Sequence, residues 1–121
     1  MSLESDKMNE LKMEVIGYSD KGIADLYLYY IDKDDNIVAT IAVNNQGDLI
    51  SDIFNDDYKE RIVSDINKLT GFNFSVEEEY FYINNNEVVW NNTRKFIQDN
   101  NIKVETKTEL DMEIEELSKT R

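Results

Sequence analysis

From Leu11 to Tyr18 apolar and polar residues alternate, with Leu11, Met13 and Val15 on one side and Lys12 and Glu14 on the other. A repeat of two is the period of a strand with one buried face, and a strand is expected here. Gly17 and the cluster Ser19-Asp20-Lys21-Gly22 then supply turn residues. From Ile23 to Ile31, one set (Ala24, Leu26, Leu28, Tyr30) is wholly apolar, while the other (Asp25, Tyr27, Tyr29, Ile31) is large and only partly polar. This predicts a second strand with both faces at least partly covered. Asp32 to Asn36 is a polar turn, after which Ile37, Ala39, Ile41 and Val43 resume the alternation, so the second and third strands should form a hairpin. Asn44-Asn45-Gln46-Gly47 turns the chain again, and Asp48 to Ile53 predicts a short fourth strand.

The period then changes. Tyr58, Ile62, Ile66 and Leu69 recur at helical spacing, Asn55 can cap the helix, Asp56 and Asp57 suit its positive end, and Gly71 ends it. Between Phe72 and Ile83 two signals compete. Phe72, Phe74 and Val76 alternate, whereas Ser75 with Glu78 is a capping-box pattern; the strand reading is preferred. Tyr80-Phe81-Tyr82-Ile83 and Glu87-Val88-Val89-Trp90 flank three asparagines and predict an aromatic hairpin. Asn91 or Asn92 should cap a short helix carrying Phe96 and Ile97 as far as Asn100. Ile102 to Lys107 predicts a last strand, and Thr108 with Asp111 starts a terminal helix with the apolar stripe Leu110, Ile114 and Leu117. The sum is an α+β fold: an antiparallel sheet of hairpins packed on two or three α-helices. With no repeat or linker in 121 residues, one domain is expected over 1–121, with flexible ends at 1–8 and 118–121.

Composition narrows the chemistry. The chain lacks Cys and His, which removes thiolate nucleophiles, imidazole bases and zinc sites of the usual composition. No apolar run approaches a membrane span, the opening stretch Met1 to Glu10 is charged, and the expected location is cytoplasmic. Net charge is -13, from 26 acidic and 13 basic residues. Such a chain repels nucleic-acid backbones and anionic membranes and attracts basic proteins. Asp32-x-Asp34-x-Asn36 matches the start of a calcium loop, but Ile37 stands where the loop needs glycine and Val43 where it needs a bidentate Glu. A solvated turn is the better reading. The four glycines, Gly17, Gly22, Gly47 and Gly71, are too scattered for a phosphate loop. No catalytic, metal or cofactor-binding residues are assigned.

Two features remain as candidates for binding. Acidic residues cluster in Glu77, Glu78 and Glu79 and on the terminal helix, where Glu109, Glu113 and Glu116 share one face. Such rows suit a partner with a basic surface, or simply match the helix dipole and keep the chain in solution. The aromatic set Tyr27, Tyr29, Tyr80, Tyr82 and Trp90 suits a docking surface, or a sheet face covered by the protein's own helices. The function expected is a small acidic protein-binding module, such as an inhibitor, immunity or decoy protein that occupies the basic site of a nucleic-acid-handling partner. The alternative is a non-enzymatic structural or regulatory domain that forms a homodimer through its aromatic sheet face. A carboxylate-driven hydrolase comes third.

Overall fold

The computed structural model describes residues 11–20 and 23–107. The expected terminal helix with Glu109, Glu113 and Glu116, and the expected flexible ends, lie outside them. Strands β1 (Lys12–Asp20), β2 (Ile23–Ile31), β3 (Ile37–Asn44) and β4 (Leu49–Ile53) follow one another as an antiparallel meander. A 3-10 turn (Asp56–Tyr58) leads into helix α1 (Lys59–Thr70), then β5 (Phe81–Ile83), helix α2 (Val89–Asp99) and β6 (Val104–Lys107). The six strands form one sheet in the order β5-β4-β3-β2-β1-β6.

The expectation of a purely antiparallel sheet is corrected at one edge, where β6 pairs with β1 in parallel. The reason is the connection. Between β5 and β6, α2 carries the chain back to the end from which β5 set out, as a crossover between parallel strands must. β6 therefore runs with β5, and hence with β1. The sheet is mixed, and the fold is a small α+β one.

The strands β1 to β4 form where the alternation places them, because each has one face to bury. Register aligns Val15, Leu28, Ile41, Ser51 and Phe81 in one row and Gly17, Leu26, Val43, Leu49 and Ile83 in the next. These positions are buried in one core with Ile62, Ile66 and Leu69 of α1 and Val89 and Ile97 of α2. Both helices thus lie on the same side of the sheet. A bulge between Tyr30 and Ile31 ends the regular register at the far end of β2.

The first helix starts as expected: the Asn55 side chain accepts from the Asp57 N–H, and Gly71 ends it at φ 73°. Three expectations downstream fail. Residues 72–80 form no strand, and only Phe81–Ile83 does. The Asn67 side chain bonds both the N–H and the C=O of Phe74 (2.8 and 3.1 Å), so a side chain does what a neighbouring strand would have done. Likewise the aromatic hairpin over 80–90 is absent. Asn86 accepts from the Val88 N–H through its side chain and from the Val89 N–H through its carbonyl, which starts α2 at Val89. Asn91 and Asn92 fall inside that helix and not at its cap. Val89, Thr93 and Ile97 then recur every four residues on the buried side, and Asn92 Nδ2 donates to Leu69 O at 3.0 Å, tying α2 to α1.

Beneath α1 the core contains a polar pair. Tyr30 and Asp65 are 0% and 2% exposed, and the Tyr30 hydroxyl donates to Asp65 Oδ2 at 2.7 Å. Arg61 Nε donates to the same oxygen at 3.2 Å, and Lys68 Nζ lies 4.0 Å from Oδ1. Burial, then the Asp65 charge and hydrogen bond, push the Tyr30 hydroxyl well above the ordinary phenol range. The unfolded chain releases that proton near pH 10 while the folded chain keeps it, so stability falls as pH rises past about 10. The expected result is that the stability advantage of the natural protein over Tyr30→Phe shrinks between about pH 8 and pH 11. Urea unfolding of both at each pH measures it.

Candidate functional site

The face of the sheet turned away from the helices is built by the other half of each alternation. The pairing Tyr82↔Ile50↔Ala42↔Tyr27↔Ile16↔Glu105 runs across all six strands in one row. Five of these six side chains are apolar or aromatic. At about 4.8 Å between strands, the row from Tyr82 to Ile16 makes a strip about 19 Å long. Asp52, Thr40, Tyr29 and Glu14 flank it on one side, and Asn44, Asp25 and Tyr18 on the other. No described helix covers it. Ile50 and Tyr82 are 50% and 61% exposed, and Ile16, Tyr18, Tyr27, Tyr29 and Ala42 are half-buried by one another.

The Tyr18 and Tyr27 rings meet edge to face with centroids 5.2 Å apart, a geometry that holds both rings in place. Packing within the strip partly dries it. Desolvation raises the carboxyl of Asp25 and is the leading cause of the rise of the Tyr27 hydroxyl, followed by the charges of Asp25, Tyr18 and Tyr29. Among residues whose side chains are described, this face bears Glu14, Asp25, Asp52 and Glu105 against Lys12, which is ion-paired to Asp35 at 3.7 Å.

The expected site residues are separated by the fold. Tyr27 and Tyr29 stand on the open face, where no described helix reaches, and Tyr82 joins them at the β5 edge. Trp90 does not: it lies in the first turn of α2, half-buried against the core on the opposite side of the sheet. Glu77, Glu78 and Glu79 are exposed in the segment before β5, next to Tyr80, which is 84% exposed. They approach the strip in sequence but are not in it. The residues that the sequence pattern does not single out are Ile16, Ala42 and Ile50. Each is an apolar residue among polar ones in the less apolar set of its strand, with Val38 also in the set of Ala42, a signal visible only once register aligns them.

Two other polar clusters are engaged within the fold. Asp32 Oδ1 accepts from the Asp34 and Asn36 N–H groups, both at 2.9 Å, so the calcium-like sequence is a turn closed by its own carboxylate. No group of three Asp or Glu side chains placed to hold a metal is found among the described residues. A cleft of about 420 Å³ between α1 and α2 gathers Arg61, Lys68 and Lys95, but Asp65 and Asp99 pair with them there. No described helix is long and apolar enough to cross a membrane. Comparison with known protein families, curated proteins and solved structures gives no match.

Proposed function

We propose that this protein is a small acidic binding module, not an enzyme, and that its docking surface is the open face of the sheet. The observation that carries the reading is the apolar strip from Tyr82 to Ile16, bordered by carboxylates. An apolar centre with a charged rim is the anatomy of a protein interface. The rim selects the partner. Asp25, Asp52, Glu14 and Glu105 attract lysine and arginine, and tyrosine rings accept the same cations on their faces. The complementary ligand is an amphipathic segment of a basic protein, apolar along its centre and cationic along both sides. A basic surface of that kind is common to nucleic-acid-handling proteins, which is why an inhibitor, immunity or decoy role fits.

A second copy of this chain is a poorer occupant, since a net charge of -13 on each molecule and carboxylates around both faces oppose the contact. Among the described residues the buried carboxylates, Asp32 and Asp65, are both engaged by donors of the fold, which favours binding over catalysis.

The test is affinity capture with the immobilised protein beside its Ile50→Lys/Tyr82→Lys variant, at about 50 and 200 mM salt. The expected result is a basic partner held by the natural protein and weakened at the higher salt. The variant should bind it about 30-fold less tightly, the scale of a lost interface hot spot. Because both positions are at least half exposed, its stability should stay within about 0.5 kcal/mol of the natural protein. Capture of acidic partners only, or equal capture by the variant, would refute the reading. A concentration-dependent dimer in light scattering, abolished in the variant, would replace it with self-association.

A further inference from the structure

On the helix side of the sheet, the described residues leave part of β1 and β2 around Gly17 and Leu26 uncovered. A depression of about 310 Å³ opens there, lined chiefly by Gly17, Ala24, Leu26, Trp90, Val104 and Thr106. Its floor is low because Gly17 has no side chain; a Cβ there would lie 3.3 Å from both Leu26 Cδ2 and Val104 Cγ1. Ser19 completes the lining on this side, with Tyr18 and Asp25, whose side chains alternate to the open face. The described residues end at Lys107, beside Tyr18 and one residue past Thr106 of this lining. The fourteen residues from Thr108 to Arg121 follow, with Leu110, Ile114 and Leu117 at helical spacing.

We propose that this depression is the seat of the chain's own C-terminal segment, residues 108–121, and that Leu110, Ile114 and Leu117 fill it. Reach allows it: Leu110 is four residues after Thr106, a span of up to about 13 Å. Tethering favours it, because a short connection gives the stripe an effective concentration of order millimolar, which a separate molecule seldom matches. Charge also selects it. The segment carries Glu109, Asp111, Glu113, Glu115 and Glu116, so the open face with its four carboxylates repels it, whereas the helix-side lining of the depression is uncharged. At about 100° per residue, Glu109, Glu113 and Glu116 lie roughly a quarter turn from the apolar stripe. With the stripe seated, that acidic row stays in water.

The chain has no cysteine, so Ser118→Cys can carry a single nitroxide label in the full-length protein. Amide and indole signals are then compared with the label oxidised and reduced. The expected result is a loss of intensity concentrated at Gly17, Ala24, Leu26 and the Trp90 indole, unchanged on dilution. Adding Ile114→Asp and Leu117→Asp should restore those intensities while the signals of β3 and β4 stay in place. Loss centred on Ala42, Ile50 and Tyr82 would overturn the proposal by placing the segment on the open face. Loss spread evenly over the chain would overturn it by showing no seat. Loss in an unlabelled copy mixed with a labelled one would overturn it in favour of a second molecule. None of these results depends on capture of a basic partner, so failure here is distinguishable from failure of the docking face.

Discussion

Gly47→Ala is expected to destabilise the protein by about 3 kcal/mol, whereas Gly71→Ala should lose only about 1 kcal/mol. Both glycines hold positive φ, +88° and +73°, and an alanine at either meets the left-handed penalty of about 1 kcal/mol or somewhat more. Surroundings make the difference. Around Gly71 nothing lies within 4 Å of an added Cβ. At Gly47 the Cβ would stand 2.8 Å from the Asn86 carbonyl carbon, 2.9 Å from its nitrogen and closer still to its oxygen. Those are backbone atoms that cannot swing aside. The contact joins the β3–β4 turn to the segment that starts α2: Asn86 N donates to Gly47 O at 3.0 Å, and Asn85 N donates to Asp48 Oδ1 at 2.9 Å. Displacing it disturbs both. Urea unfolding of the two variants measures the difference as a shift of midpoint at constant slope. Equal losses would mean that the turn and the helix start are not in contact.

Asp65→Ala is expected to lose about 2–3 kcal/mol, chiefly the cost of leaving a buried hydroxyl without its acceptor. Alanine would leave the Tyr30 hydroxyl buried with no acceptor and would take from Arg61 and Lys68 their shared carboxylate. Tyr30→Phe removes only the donor, and Asp65 keeps Arg61 and Lys68; about 1.5–3 kcal/mol is expected, as for a hydrogen bond to a charged group. The two changes touch the same bond. Their combination should therefore fall short of the sum by roughly 1–3 kcal/mol in a double-mutant cycle. Strict additivity would show that the hydroxyl and the carboxylate do not meet in solution. The pair lies under α1 and away from the strip, so Tyr30→Phe should leave partner binding unchanged while it lowers stability.

Much of the architecture is legible in the chain itself. The alternation over 11–53 marks four strands and their turns, because a strand with one dry face must repeat every two residues. The helix over 59–70 is equally plain from Asn55, its apolar spacing and Gly71. Local pattern misleads where it admits two partners. Phe72 and Phe74 alternate like a strand, but the Asn67 side chain claims the Phe74 backbone. Val88, Val89 and Trp90 are good strand formers, yet Asn86 turns them into a helix whose Val89 and Ile97 reach the core.

The candidate site divides in the same way. Its chemistry is written in the chain: an excess of carboxylates, no His or Cys, and a second strand whose less apolar set still contains Tyr27 and Tyr29. Its location is not. Both helices pack on one side of the sheet, which leaves Tyr27 and Tyr29 uncovered by any described helix and carries Trp90 to the opposite side. Register between strands far apart in sequence then joins Ile16, Ala42, Ile50 and Tyr82 to Tyr27 in one strip. Local sequence determines which residues alternate, since the pleat is a property of each strand alone. Which face is covered, and which single residues line up across it, depends on contacts between segments tens of residues apart, and only the tertiary structure decides that.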